Sequence, residues 1–393
     1  MSYYEFFCPV KVIAGQAALE HVPYEFSSRN CKRPMIVTDK GVRAAGLLDT
    51  VLTAFEEGGM DVTVIYDDVP ADSSKQTVKA IAKEYRSKKC DAILAIGGGS
   101  PIDTAKAVNI LVSEGGDDIA KYSGAGVLTR PLKPFIVIPT TAGTGSEVTS
   151  VAVIADTEKE VKLAFASSFM LPDAAVIDPR MTLTLPPQVT AATGMDAMTH
   201  SVEAFTCMAK NPLSDAYASA AIKKISANLP KVMKKPDDAD ARLEMAQAST
   251  MAGIAFSNSM VGLVHALGHS LGAICHLPHG LCMSLFLPYV LEYNLESIRE
   301  PLSELLLPLA GPDIYAMTPK SQRAEESIAT IRKLRDDLYR DCKLPRTLQE
   351  TGKVDKGQLD RIAQAAIDDG SIMFNPKEAT LKDARAVLEK AWG

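Results

Sequence analysis

Several features that would settle a function class at once are missing. The chain has no Cys-x-x-Cys pair. Its seven cysteines stand at 8, 31, 90, 207, 275, 282 and 342, an odd number at loose spacing that argues for reduced thiols in a cytosolic protein rather than a disulfide framework. No apolar run approaches the ~18–20 residues that a membrane helix needs. The opening MSYYEFFCPVKV lacks a basic region followed by a long apolar stretch, so no signal peptide is expected. A basic stripe is also missing: acids and bases are interleaved and the net charge is −6, which excludes nucleic acid as an expected partner. Neither a Gly-x-Gly-x-x-Gly fingerprint nor a Walker loop occurs, and there is no internal repeat or low-complexity tract.

What is present is an ordinary globular composition, 47% hydrophobic and 23% charged over 393 residues, enough for two domains and a large core. The first half alternates β-like runs with helical segments. Strands are expected at 33–39, 61–69, 91–99 and 134–141, with helices up to about 57, over 75–89 and over 100–113. Alternation of this kind predicts a parallel sheet covered on both faces, and the Val/Ile/Ala runs suit doubly buried strands. Two extended segments, 150–156 and 173–179, follow. After Leu185-Pro186-Pro187 the texture becomes Ala/Met/Leu-rich, with helical periodicity over 188–209, 213–228, 239–258, 261–275 and 321–341. The expected division is 1–186, an α/β dinucleotide-binding domain, and 187–393, an all-helical metal-binding domain.

Five of the six histidines lie between 200 and 279. Asp196 and His200 are four apart, as are His265 and His269, so each pair shares one helix face. His276 and His279 follow near Pro278 and Gly280. A carboxylate and several imidazoles brought together make a divalent transition-metal site. Spacing alone leaves two alternatives open beside it, core histidines with satisfied hydrogen bonds and the metal site of a hydrolase.

Two polar loops point away from a hydrolase. Gly97-Gly98-Gly99-Ser100 closes a strand and opens a helix, where free backbone N–H groups can receive phosphate. PTTAGTGSEVTS (139–150) also follows a strand, and strand C-termini are where open α/β sheets bind ligands. Asp39, at the end of the first clear strand, could accept hydrogen bonds from a ribose 2′-hydroxyl and would repel a 2′-phosphate, although it precedes the glycines instead of following them by ~20 residues. Each feature also has a plain reading as a turn.

GGGSPIDTAKA, PTTAGTGSEVT, GMDAMTHSVEAF, GLVHALGHSLGAICHLPHGLC and the C-terminal FNPKEATLKDARAVLEKAW together resemble the iron-containing (group III) alcohol dehydrogenases over essentially the whole chain. The resemblance implies a Rossmann-like parallel-sheet domain followed by an all-α domain, as in dehydroquinate synthase. It implies Asp196, His200, His265 and His279 as metal ligands, with His269 beside them as a catalytic proton relay and His276 without a ligand role. It places Gly98, Gly99 and Ser100 at the cofactor diphosphate and Asp103, Thr140, Thr141, Thr144, Ser146 and Lys162 along the cofactor cleft. Asp39 stands where NAD-using members carry an acid, so NAD(H) is expected over NADP(H). Segment 67–74 departs from the Pro-Asn-Pro-like element of many members.

The expected activity is hydride transfer between NAD(H) and a small primary alcohol or diol and its aldehyde, in a cleft between the domains, with Fe²⁺ as Lewis acid; Zn²⁺ would also accept these ligands. Val151, Phe256, Met260 and Val261 are the candidate substrate-pocket residues. The expected state is a cytoplasmic, dimer-based homo-oligomer. The alternatives are glycerol dehydrogenase-like polyol oxidation with Zn²⁺, a metal-dependent hydrolase without a redox cofactor, and a metal-storage protein.

Overall fold

The computed structural model describes residues 3–158 and 161–393. The chain divides into two compact units, Cys8–Thr184 and Leu185–Gly393, the latter including the N-terminal segment up to Phe7. That segment was expected with the α/β part. Its membership of the helical unit is explained by Phe6 stacking on Tyr217 and by the Phe7 amide donating to Asn258.

In the α/β unit the strands are β1 (Lys11–Ala14), β2 (Pro34–Val37), β3 (Val64–Tyr66), β4 (Ala92–Gly97), β5 (Gly124–Ala125), β6 (Phe135–Pro139), β7 (Val151–Asp156), β8 (Val161–Ala166) and β9 (Ala174–Ile177). Its helices are α1 (Val22–Ser28), α2 (Lys40–Ala44), α3 (Leu47–Glu57), α4 (Lys75–Ser87) and α5 (Gly99–Glu114). Six strands form one sheet in the order β1-β9-β6-β4-β2-β3, and every pairing in it is parallel. Alternate residues bury against opposite layers. Met35, Val37, Ile93 and Ala95 pack with Val78 of α4 and Val108 of α5. Ile36, Leu94 and Ile96 pack with Phe26 of α1 and Phe55 of α3. Both faces are covered, so the strands read as unbroken apolar runs.

The chain adds β3 on one side of β2 and β4 on the other. The switch point therefore lies between the carboxyl ends of β2 and β4, where open α/β sheets take ligands. The two extended segments after residue 150 part company. β9 enters the large sheet between β1 and β6, while β7 pairs antiparallel with β8 in a small sheet ordered β5-β8-β7.

The helical unit contains α6 (Pro187–Thr206), α7 (Pro212–Lys234), α8 (Ala239–Ser257), α9 (Leu263–Cys275), α10 (His279–Ala310), α11 (Pro312–Met317), α12 (Arg323–Cys342), α13 (Leu359–Ile367) and α14 (Leu381–Lys390). α6 is buried over nearly all its length from Thr190 to Thr206, so it runs through the core with polar groups facing inward as well. The 32-residue α10 was not expected, because Pro288, Pro301 and Pro308 interrupt its sequence. It bends at Ile298 (φ −125°, ψ 18°), next to the residue whose carbonyl the Pro301 ring would strike. Among the described residues no helix is long and apolar enough to cross a membrane.

Candidate metal centre

α6 presents Asp196, His200 and Glu203 at i, i+4 and i+7, all on one face and all buried. α9 brings His265 on its first turn, and α10 brings His279 as its first residue. The start of α10 reaches α6 because residue 280 is glycine: a Cβ there would lie 2.5 Å from the carbonyl oxygen of Ala192. One donor atom from each of Asp196, His200, His265 and His279 falls within a group no more than 4.8 Å across. The Asp196 Oδ1 atom is 3.3 Å from His279 Nε2 and 3.8 Å from His200 Nδ1. The ring centroids of His200 and His265 are 4.6 Å apart. Phe256, placed in the pocket by sequence, stacks on His200 at 4.2 Å and steadies its ring.

Three atoms of this group, Asp196 Oδ1, His200 Nδ1 and His265 Nε2, are buried without a hydrogen-bond partner among the described residues. A native fold rarely leaves several buried polar atoms unsatisfied in one place unless an ion or water serves them. Burial pushes the His200 imidazole down to about 3 and His265 well below the usual range, so both offer lone pairs at neutral pH. Burial alone would raise Asp196, but the neighbouring His200 and His279 rings outweigh it and hold the carboxyl below the usual carboxylate range. A carboxylate with three imidazoles is a fitting donor set for Fe²⁺ or Zn²⁺. The cluster is closed on one side, and His279 keeps 40% of its side chain exposed.

His269 is separate from the four donors. Its ring lies 5.4 Å from that of His279 and 5.6 Å from that of His265, and its Nδ1 is 3.0 Å from Asp369 Oδ2. Burial opposes ionisation of Asp369, but the hydrogen bond from His269 holds its carboxyl below the usual range. His276 is the C-cap of α9, in left-handed conformation at φ 52°, and so has a structural place. Glu203 and Asp369 escaped sequence reading. Glu203 completed the i, i+4, i+7 pattern, whereas Asp369, 100 positions from His269, carried no local signal.

In the α/β unit, β4 and β6 are neighbours with Gly97 opposite Pro139, which sets the two polar loops side by side. A Cβ at Gly98 would lie 3.3 Å from Thr141, and one at Gly99 would lie 3.3 Å from Thr144 and 3.9 Å from Ser146. Gly97 has φ +154°, and a Cβ on it would lie 2.5 Å from Pro101. The structure thus brings Gly98, Gly99, Thr141, Thr144 and Ser146 together, with Thr140 buried behind them and its amide bonded to the Gly97 carbonyl. The Ser100 hydroxyl donates to the Ala71 carbonyl at 2.5 Å. Asp103 turns toward β7, accepting from the Val153 amide at 3.0 Å. Lys162 stands outside the group, exposed on β8 with Asp72 at 3.3 Å. Asp39 caps α2, its Oδ1 accepting from the Val42 amide at 2.9 Å.

Residues 9–179 match the family model "Iron-containing alcohol dehydrogenase", and residues 190–392 match "Fe-containing alcohol dehydrogenase family, C-terminal". The chain belongs to the iron-containing alcohol dehydrogenase family. Among its relatives in that family, the 1,3-propanediol dehydrogenase of Klebsiella pneumoniae is 35% identical over 100% of both chains. The NAD-dependent methanol dehydrogenase of Bacillus methanolicus is 33% identical over 98% of this chain and 99% of its own length. A crystal structure of a 1,3-propanediol oxidoreductase superposes with a TM-score of 0.93 at 34% identity, covering 99% of this chain and 100% of that one. Membership sets aside the hydrolase and metal-storage alternatives.

Proposed function

We propose that this family member interconverts a small primary alcohol or diol and its aldehyde, using NAD(H) and a divalent metal held by Asp196, His200, His265 and His279. The observation that carries the reading is the convergence of those four side chains, three of them with buried donor atoms that have no hydrogen-bond partner among the described residues. When bound, the metal supplies Lewis acidity toward the alcohol oxygen and the nicotinamide accepts the hydride. His269 takes up the hydroxyl proton: with Nδ1 engaged by Asp369, Nε2 is the nitrogen left to receive it. Fe²⁺ is the metal of the family's name, and Zn²⁺ would fit the same donors.

The diphosphate is assigned to Gly98, Gly99 and Ser100, supported by the start of α5, where no side chain caps the helix among the described residues. Thr140, Thr141, Thr144 and Ser146 are assigned to the remainder of the cofactor, with Asp103 and Lys162 at its margin. Asp39 is assigned to the ribose hydroxyls. Its Oδ2 makes no hydrogen bond among the described residues, and its position after β2 puts it at the switch point.

The size of substrate is supported by the methanol and 1,3-propanediol enzymes among the relatives. A dimer-based homo-oligomer is assigned on the family resemblance alone. A cytoplasmic setting is supported by seven cysteines that are all free. The test is an NADH-versus-NADPH assay against C2–C4 aldehydes with metal content measured on the same sample. NADH-linked reduction by metal-bearing protein is expected. Equal use of NADPH would remove the role given to Asp39, and no turnover with either nucleotide would overturn the reading.

A further inference from the structure

α9, the helix that carries His265, begins without a cap of its own, because its N-cap residue is Gly262. Side chains from elsewhere supply the missing acceptors. Glu203 on α6 accepts from the Val264 amide at 2.8 Å through Oε1, and Asn375 accepts from the Leu263 amide at 3.2 Å. Residue 262 must be small, since a Cβ there would lie 3.0 Å from the Asn375 oxygen and 3.2 Å from Glu203 Oε1. The second oxygen of Glu203 lies 2.5 Å from Nδ1 of His265, in a fully buried contact. With Glu203 ionised, both of its oxygens can only accept, so His265 Nδ1 is the donor. The Val264 amide can only donate, and an imidazole whose Nδ1 donates keeps its lone pair on Nε2. That Nε2 is one of the three buried atoms of the four-residue cluster without a hydrogen-bond partner among the described residues.

We infer that Glu203 is a positioning residue of the metal centre: its two oxygens lock the first turn of α9 and hold His265 in the one tautomer whose Nε2 can bind a cation. The inference rests on the metal reading above and extends it to a residue seven positions beyond Asp196 on the same helix face. A glutamine cannot do the same work. Its amide has one acceptor oxygen for two donors, so either the Val264 amide or the imidazole must face an NH₂ group. Asn375 supports the same helix start without touching the ring, which separates the two tasks.

The experiment compares wild type, Glu203→Gln, His265→Ala and Asn375→Ala, each stripped of metal and titrated anaerobically with Fe²⁺ against a competing chelator. Thermal melting of the apo forms serves as a check on folding. Glu203→Gln is expected to weaken Fe²⁺ binding about 10- to 100-fold, His265→Ala to weaken it further, and Asn375→Ala to leave it unchanged while lowering the melting temperature. Wild-type affinity in Glu203→Gln would overturn the inference, and so would an equal loss in Asn375→Ala, which would assign the effect to the helix start rather than the ring. Undiminished affinity in His265→Ala would overturn the metal reading itself. If Glu203→Gln does not fold, Glu203→Asp, which withdraws the carboxylate from Nδ1 by one methylene, carries the same expectation.

Discussion

The two halves of this chain prepare for their ligands in opposite ways. In the α/β unit the prepared surface is backbone: glycines at 97, 98 and 99 clear space against Thr141, Thr144 and Pro101, and no side chain caps the start of α5 among the described residues. In the helical unit the prepared surface is side chains, and the donor atoms of Asp196, His200 and His265 are buried there without a hydrogen-bond partner among the described residues. The first arrangement costs the apo fold little, because water can serve exposed amides. The second imposes desolvation on Asp196, His200 and His265, a cost that a bound cation offsets. Loss of one donor should therefore be drastic in the helical unit, whereas the loops should fail gradually.

The largest expected effect is that of His265→Ala. Removal of one of the four proposed metal ligands should lower kcat/KM in NAD⁺-linked alcohol oxidation by at least about a thousandfold, several kcal/mol of transition-state stabilisation, with metal content falling alongside. NADH binding followed by fluorescence should be unchanged; if it falls too, the two halves are not independent in the way described.

Acid should also separate them. His200 is pushed down to about 3 by burial, so its neutral form favours folding above the ordinary imidazole pKa of about 6.5, and that contribution drains away as pH falls from there toward 3. The apo protein should lose about 1.4 kcal/mol per pH unit for each such group across that window. Acid melts read by circular dichroism should show helix lost first, and His200→Gln should flatten the dependence. An unchanged slope in that variant would remove His200 from the account.

On the other side, Gly97→Ala meets both the positive φ and the Pro101 contact. It should cost about 1–3 kcal/mol of stability and weaken NADH binding with metal content intact. Asp39→Ala should give the smallest change. Loss of the α2 cap costs about 1 kcal/mol, and the preference for NADH over NADPH in steady-state assays should narrow. A widened preference would contradict the ribose assignment.

How much of this was legible in the sequence follows the same division. The parallel sheet could be read because β2, β4, β6 and β9 are buried on both faces and carry unbroken apolar runs. β8 could not, because most of its residues are at least partly exposed and it pairs with β7 and β5 in a separate small sheet. The i,i+4 pairs on α6 and α9 pointed to the cluster, since helical spacing keeps local order. α10 was hidden by three prolines, although a proline costs a helix one bond and a kink rather than its existence. The distant residues that support α9 were the least legible. Asp369 and Asn375 act on α9 from about a hundred positions away, a relation that only the tertiary fold creates. Glu203 was within reach, two turns beyond Asp196.

The most direct measurement is metal reconstitution. Apo-protein prepared anaerobically should be inactive in NAD⁺-linked alcohol oxidation and should regain activity in proportion to Fe²⁺ added, up to one equivalent per chain. Full activity in a sample free of divalent metal would contradict the central claim that Asp196, His200, His265 and His279 form a catalytic metal site.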